Sequence, residues 1–268
     1  MKKITLVNKN ASATVYDYAA HVTSWVGQSG HQRIFTSKQA IFEAPKAIRG
    51  GVPIIFPQFN EVGEFQRHGF ARNVYWNKLD TQTSSAHFQL NSDAQTREIW
   101  PFEFSADYKV DLSAQGLSLS LSVKNTDSKP ITFTVALHSY LQIKSLKTCS
   151  VSGVKNLSYW DNDGTDFSIR TKALTNELTF TDAIDRVYFD VKNDVVLDTG
   201  NGQLNISHSG FDDMVIWTPG KQAAKDMSDF ADDEFDNMLC VEAAQIAKPI
   251  TLLPNETWTG KQILTEVS

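Results

Sequence analysis

The run Gly116-Leu117-Ser118-Leu119-Ser120-Leu121-Ser122-Val123 alternates apolar and polar residues with a strict period of two. A helix would smear these leucines around its circumference. An extended strand collects them on one face and the serines on the other, so the run specifies a half-buried antiparallel strand. Shorter stretches of similar character occur at 14–18, 87–90, 104–111, 131–143, 204–207, 214–217 and 239–242, separated by clusters of Gly, Asn, Asp and Pro. Asp198-Thr199-Gly200-Asn201-Gly202 reads as a hairpin turn, because Gly and Asn tolerate positive φ. A short helix is expected within 223–235, its acidic residues Asp226, Asp229, Asp232, Asp233 and Glu234 forming a solvated face or loop. No strand–helix alternation of the dinucleotide-binding kind is present. The expectation is an all-β chain built as a large antiparallel β-sandwich.

With 268 residues, 41% of them hydrophobic, the chain can bury a full core. All-β sandwiches of this length are commonly one unit, so 1–268 is read as a single domain. A net charge of −6 leaves no overall positive field for nucleic acid or an anionic membrane, so neither is expected as a partner. An anionic substrate would need a local basic cluster. The amino-terminal residues lack a sustained apolar core, and no stretch is long and apolar enough to span a bilayer. The two cysteines, Cys149 and Cys240, have neither the number nor the spacing of a disulfide framework or a zinc site. A cytoplasmic setting, a monomer, and no metal or organic cofactor are the expectations.

Four segments can carry chemistry. In Ala47-Ile48-Arg49-Gly50-Gly51-Val52-Pro53-Ile54-Ile55-Phe56-Pro57, Arg49 precedes two glycines and a proline-bracketed apolar stretch. Its planar, permanently charged fork suits phosphate or vicinal hydroxyls, although a turn with a solvated arginine is the plainer reading. Arg67-His68-Gly69-Phe70-Ala71-Arg72-Asn73 packs two arginines and a histidine around a glycine, either an anion cradle or an exposed basic loop. In Ile131-Thr132-Phe133-Thr134-Val135-Ala136-Leu137-His138-Ser139-Tyr140, alternation puts His138 on one face with Thr134, Ala136 and Tyr140, where it is a proton donor or a structural histidine. Glu242 lies inside the apolar run Met238-Leu239-Cys240-Val241-Glu242-Ala243-Ala244. A carboxylate there must be paired, protonated or working, and desolvation would raise its pKa toward that of a general base. No GKS-type phosphate loop, HExxH or GxSxG elbow occurs.

Taken in order, IRGGVPIIFPQF, RHGFARN, ALHSYL, IDRVY and CVE resemble the hexose-6-phosphate mutarotase branch of the aldose-1-epimerase family over residues 48 to 242. The segments His21–Trp25 and 215–219 add to the likeness. The resemblance implies the galactose-mutarotase-like β-sandwich, with sugar on the concave face of one sheet. It implies His138 as catalytic acid and Glu242 as catalytic base. Arg49, Arg72 and Asp185 match substrate-binding positions, and His68 belongs to the same motif. Arg67 stands where relatives often carry glutamine. The implied reaction interconverts α and β anomers of a hexose 6-phosphate without cofactor. Two other readings remain open: an aldose 1-epimerase acting on unphosphorylated hexose, and a sugar-binding sandwich without catalysis.

Overall fold

The computed structural model describes residues 1–61, 63–162, 168 and 170–267. Two large antiparallel sheets carry the molecule. One has nine strands, ordered Glu177–Thr179, Ser150–Ser152, Val195–Asp198, Gln203–Ser209, Thr257–Val267, Gly116–Asn125, Phe104–Leu112, Ser85–Asn91 and Asn77–Thr81. The other runs Thr171–Lys172, Ser158–Asp161, Ile184–Tyr188, Asp213–Thr218, Met238–Leu252, Ile131–Leu137 and Ile54–Ile55, with Tyr140–Gln142 also paired to Met238–Leu252. A smaller sheet of Lys3–Asn8, Ala11–Tyr16 and Val22–Val26 packs beside them.

The alternation read from 116–123 sets the layering. Leu117, Leu119, Leu121 and Val123 are buried, whereas the intervening serines are only half-buried. These leucines share one core with Phe133, Val135, Leu239, Val241 and Ile216 of the facing sheet, which makes the structure a β-sandwich. Each fully buried Leu or Val contributes about 1.5–3 kcal/mol, so this row alone outweighs any single polar contact in the sheets. A separate apolar cluster, including Phe59, Ala136, Val187, Val215 and Ala244, covers the outer face of the eight-stranded sheet and floors the cavity described below.

Three expectations about individual elements need correction. The run 131–143 is not one strand: it ends at Leu137 and resumes at Tyr140 across a tight local turn in which the Ser139 amide donates back to the Leu137 carbonyl at 2.9 Å. The helix lies at Gly220–Lys225, one turn earlier than expected, and the acidic stretch ends in a 3-10 turn at Glu234–Asn237. That stretch is not merely a solvated face. Glu234 is buried and accepts from the Ser37 hydroxyl at 2.7 Å, and Asp229 pairs with Arg49. The 198–202 hairpin forms as expected, pairing Val195–Asp198 with Gln203–Ser209.

Candidate active site

The segments holding the candidate residues are joined by main-chain hydrogen bonds. Tyr140 N donates to Gly51 O at 2.9 Å, which with the bond from His138 N to Pro53 O at 3.0 Å lays the Arg-Gly-Gly segment along the interrupted strand. The amides of Phe70 and Ala71 both donate to Phe56 O, at 3.0 and 3.2 Å, binding the second basic motif to the first. This approach requires glycine at position 69: its φ is +65°, and a Cβ there would lie 2.1 Å from Phe56 O. Gly51 is similarly constrained, with φ +69° and His21 directly against it. The buried His21 contacts the Gly50 carbonyl at 2.8 Å through Nε2. Burial holds its pKa down to about 4, so the ring is neutral and Nε2–H is the donor. Beneath both motifs, Phe56 packs edge-on against Trp100, Phe104 and Phe133 at centroid distances of 5.2–5.3 Å.

This framework brings all seven candidates to one cavity on the outer face of the eight-stranded sheet. Arg49, Arg67, His68, Arg72, His138, Asp185 and Glu242 line it, together with Phe59, Asn60, Tyr140, Asn162, Val215, Trp217 and Met227. Its space, open mouth included, is about 670 Å³, within the range of small-molecule sites. Cross-strand register explains the floor. Glu242 stands opposite Val215, and Asp185 stands opposite Trp217 two residues further along.

His138 and Glu242 meet at the bottom. Nδ1 lies 3.3 Å from Oε1, and the Glu242 side chain is 1% exposed. The imidazole stacks on the Tyr140 ring, 4.7 Å between centroids and 11° from parallel, and meets Trp217 edge-on at 5.7 Å. Burial pushes the Glu242 carboxyl well above its ordinary range, and the neighbouring Asp185 adds to the rise. Burial, with the charges of Arg72, Arg49 and Arg67, drives His138 well below 6.5. Both shifts favour the uncharged forms, so burial first and the three guanidinium groups second bias the unliganded pair toward a neutral imidazole and a protonated carboxyl.

The arginines differ in their partners. Arg49 Nε donates to Asp229 Oδ1 at 3.1 Å, and its Nη1 reaches the Tyr140 hydroxyl at 3.5 Å. Arg72 has no carboxylate among the described residues; Nη2 donates to the Arg67 carbonyl at 3.3 Å, and its buried Nε has no partner. Burial and the charges of Arg49 and Arg67 pull its pKa down to about 10, leaving it cationic at neutral pH. Arg67 is exposed at the rim. His68, at φ +67°, accepts from Asn60 N through Nδ1 at 3.1 Å. Burial and Arg72 hold its pKa down to about 2, so it is neutral and Nε2 carries the proton. Asp185 accepts from Asn162 Nδ2 at 2.8 Å, and burial raises its pKa to about 7.

Sequence reasoning missed Asn162 and Asp229, and it noted Tyr140 only as a neighbour of His138. Asn162 carried no motif. Asp229 sat in an acidic run whose net charge concealed the carboxylate that pairs with Arg49.

The aldose 1-epimerase family pattern matches residues 2–265. A protein of Cenchrus ciliaris, provisionally named a glucose-6-phosphate 1-epimerase, is 35% identical over 97% of this chain and 82% of its own. An Escherichia coli protein with the same provisional name is 28% identical, over 84% and 76% respectively. Among solved structures, a provisional mutarotase from Salmonella typhimurium superposes with a TM-score of 0.90 at 24% identity, covering 99% of this chain and 90% of that one. A galactose mutarotase-like protein from Lactobacillus casei gives 0.80 at 18%, covering 99% and 100%. The fold is thus the galactose mutarotase-like sandwich, and the chain belongs to the aldose 1-epimerase family.

Proposed function

We propose that this protein interconverts the α and β anomers of a hexose 6-phosphate, with glucose 6-phosphate the first substrate to test. The observation that carries the reading is the buried His138–Glu242 pair, 3.3 Å apart, beneath a rim bearing Arg49, Arg67 and Arg72. The names of the Cenchrus and Escherichia coli relatives support it.

The phosphate dianion binds at the guanidinium groups, Arg72 above all, since its cation lacks a carboxylate partner. Bound phosphate offsets the field of the guanidinium groups, which together with burial disfavours the imidazolium, and so shifts the pair toward a protonated His138 and an ionised Glu242. The Glu242 carboxylate then removes the proton from the anomeric hydroxyl while the imidazolium protonates the ring oxygen. The C1–ring-oxygen bond breaks and the aldehyde forms. Rotation about C1–C2 and reversal of both transfers close the other anomer, returning both residues to their starting states. Each positioned transfer is worth ~10²–10⁴-fold, so the pair is sufficient for the reaction. Asp185 and His68 Nε2–H orient the sugar hydroxyls.

Exchange NMR on glucose 6-phosphate, galactose 6-phosphate and free glucose tests the proposal. Faster exchange of a phosphorylated sugar is expected. Equal acceleration of free glucose would assign the arginines to sugar hydroxyls, and binding without exchange would leave a sugar-binding protein.

A further inference from the structure

Beside the cavity that holds the His138–Glu242 pair lies a second, wider one, and the two share a wall. Arg67, Asn162, Asp185, Trp217 and Met227 line both. A ligand held by its reacting carbon at the bottom of the inner cavity can therefore continue past these side chains without leaving the protein. The outer space, open mouth included, is about 1090 Å³, against about 670 Å³ for the inner one. The proposed reaction on a single hexose gives it no role.

Three neighbouring strands and a helix build this outer cavity. Ser158–Asp161 pairs with Ile184–Tyr188, which pairs in turn with Asp213–Thr218, so Asp161 comes opposite Arg186 and Asp185 opposite Trp217. The chain then passes through Pro219 into the helix Gly220–Lys225, which contributes Ala223 to the lining.

The lining decides what kind of group fits. Ile184, Pro219, Ala223 and Met227 offer apolar surface beside the half-buried indole of Trp217, which is held edge-to-face against His138 and Tyr140 at 5.7 and 5.9 Å. Asp161, Asn162 and Asp185 offer oxygen acceptors. A second phosphate is a poor match, because the outer lining sets two arginines against two aspartates and Arg186 is committed to Asp161 at 2.7 Å. A pyranose ring suits both kinds of surface. Its C–H faces pack on aromatic and aliphatic side chains, and its rim of hydroxyls donates to carboxylates and amides.

We propose that the outer cavity is a subsite for a second, uncharged pyranose ring, so that the protein also takes reducing disaccharides whose second ring hangs from a carbon remote from C1. Ring opening takes place on the reducing ring as before, and the glycosidic bond is neither made nor broken. The subsite extends the substrate class of the proposed function and rests on that reading for the placement of C1 against His138 and Glu242.

The test uses glucose, maltose, cellobiose and isomaltose, which share one reducing ring and differ in whether and how a second is attached. Saturation-transfer NMR on the full chain should show protons of both rings in contact for at least one disaccharide, whose Kd should be at least about fivefold below that of glucose. Ala223→Trp fills the outer cavity from an exposed helix position, so it should erase contacts to the second ring and bring the two Kd values within about twofold of each other. If that variant fails to fold, Ala183→Phe, also at an exposed lining position, is judged by the same criteria. Saturation confined to the reducing ring, or a disaccharide preference that survives in the variant that folds, overturns the subsite. Loss of glucose 6-phosphate exchange in Ala223→Trp, with no disaccharide bound by the unmodified protein, would overturn it by giving the outer cavity to the phosphate. The mutarotase reading fails separately: contact with both rings and no exchange of any sugar would keep the subsite and discard the reaction.

Discussion

Ser139 donates its hydroxyl to Gln262 Oε1 at 2.6 Å, reaching from the eight-stranded sheet to a fully buried glutamine of the nine-stranded one. The same glutamine donates through Nε2 to Val241 O at 3.0 Å. Ser139 follows His138 and Val241 precedes Glu242, so a single side chain from the opposite sheet holds the backbone beside both members of the pair. Gln262→Leu would orphan a buried hydroxyl and a buried carbonyl, at about 1–3 kcal/mol each. Denaturant unfolding should register that loss. With the pair displaced, kcat should fall at least about tenfold while KM changes little. Unchanged kcat in a destabilised variant would confine Gln262 to a structural role.

The proton-transfer pair is tested by substitutions that preserve shape. Glu242→Gln and His138→Asn should each slow anomer exchange by about 10²–10⁴-fold. Saturation-transfer NMR should still detect sugar binding. Exchange within about threefold of the unmodified protein in either variant would remove that residue from the chemistry.

Arg72 and Arg49 should separate in their effects, because only Arg49 has a carboxylate partner. Arg72→Leu removes a mostly buried cation that has no carboxylate partner among the described residues, so its Tm should rise. The same change should cost a phosphorylated sugar about 1.5–3 kcal/mol of binding, roughly ten- to hundredfold, and free glucose much less. Arg49→Ala should lower stability instead, since it strands Asp229. Isothermal titration with both sugars and thermal melts of both variants decide the matter.

Asp185 links the site to stability through pH. Its pKa is raised to about 7 in the folded state against an ordinary 3.8, so the native protein holds a proton that the unfolded chain has lost. Stability therefore falls as pH rises from about 4 to 7, and the penalty is complete above 7. Asp185→Asn should make the unliganded protein more stable at pH 8, by on the order of 1–3 kcal/mol, and the difference should vanish near pH 4. Urea titrations of both proteins at the two pH values provide the comparison. A destabilised Asn variant at pH 8 would refute the assigned burial cost.

The architecture was legible wherever one face of a strand is apolar and the other polar, as at Leu117–Val123. The break at 138–139 was not, because the Ser139 amide folds back onto the Leu137 carbonyl, a local turn with no Gly, Pro or Asn to mark it. The seven candidate residues lie together because their motifs are short and rigid, each fixing its neighbour's backbone. Gln262 escaped notice for the opposite reason: a glutamine in an alternating strand looks like any solvent-facing polar residue until the facing sheet is placed over it. The downward shift of His138 was equally hidden, since it depends on burial in the cavity and on three cations supplied by two other segments.

The paired amides of Phe70 and Ala71 on a single Phe56 carbonyl separate the cavity's framework from its selectivity. What holds the two basic segments together is peptide backbone and glycine, common to any side chains placed along them. The residues projecting from that frame are therefore free to vary, and a rim of guanidinium groups can be replaced by one of amides or hydroxyls without dismantling its support. Ligand preference in such a scaffold can drift faster than shape, much as interchangeable bits fit one drill chuck.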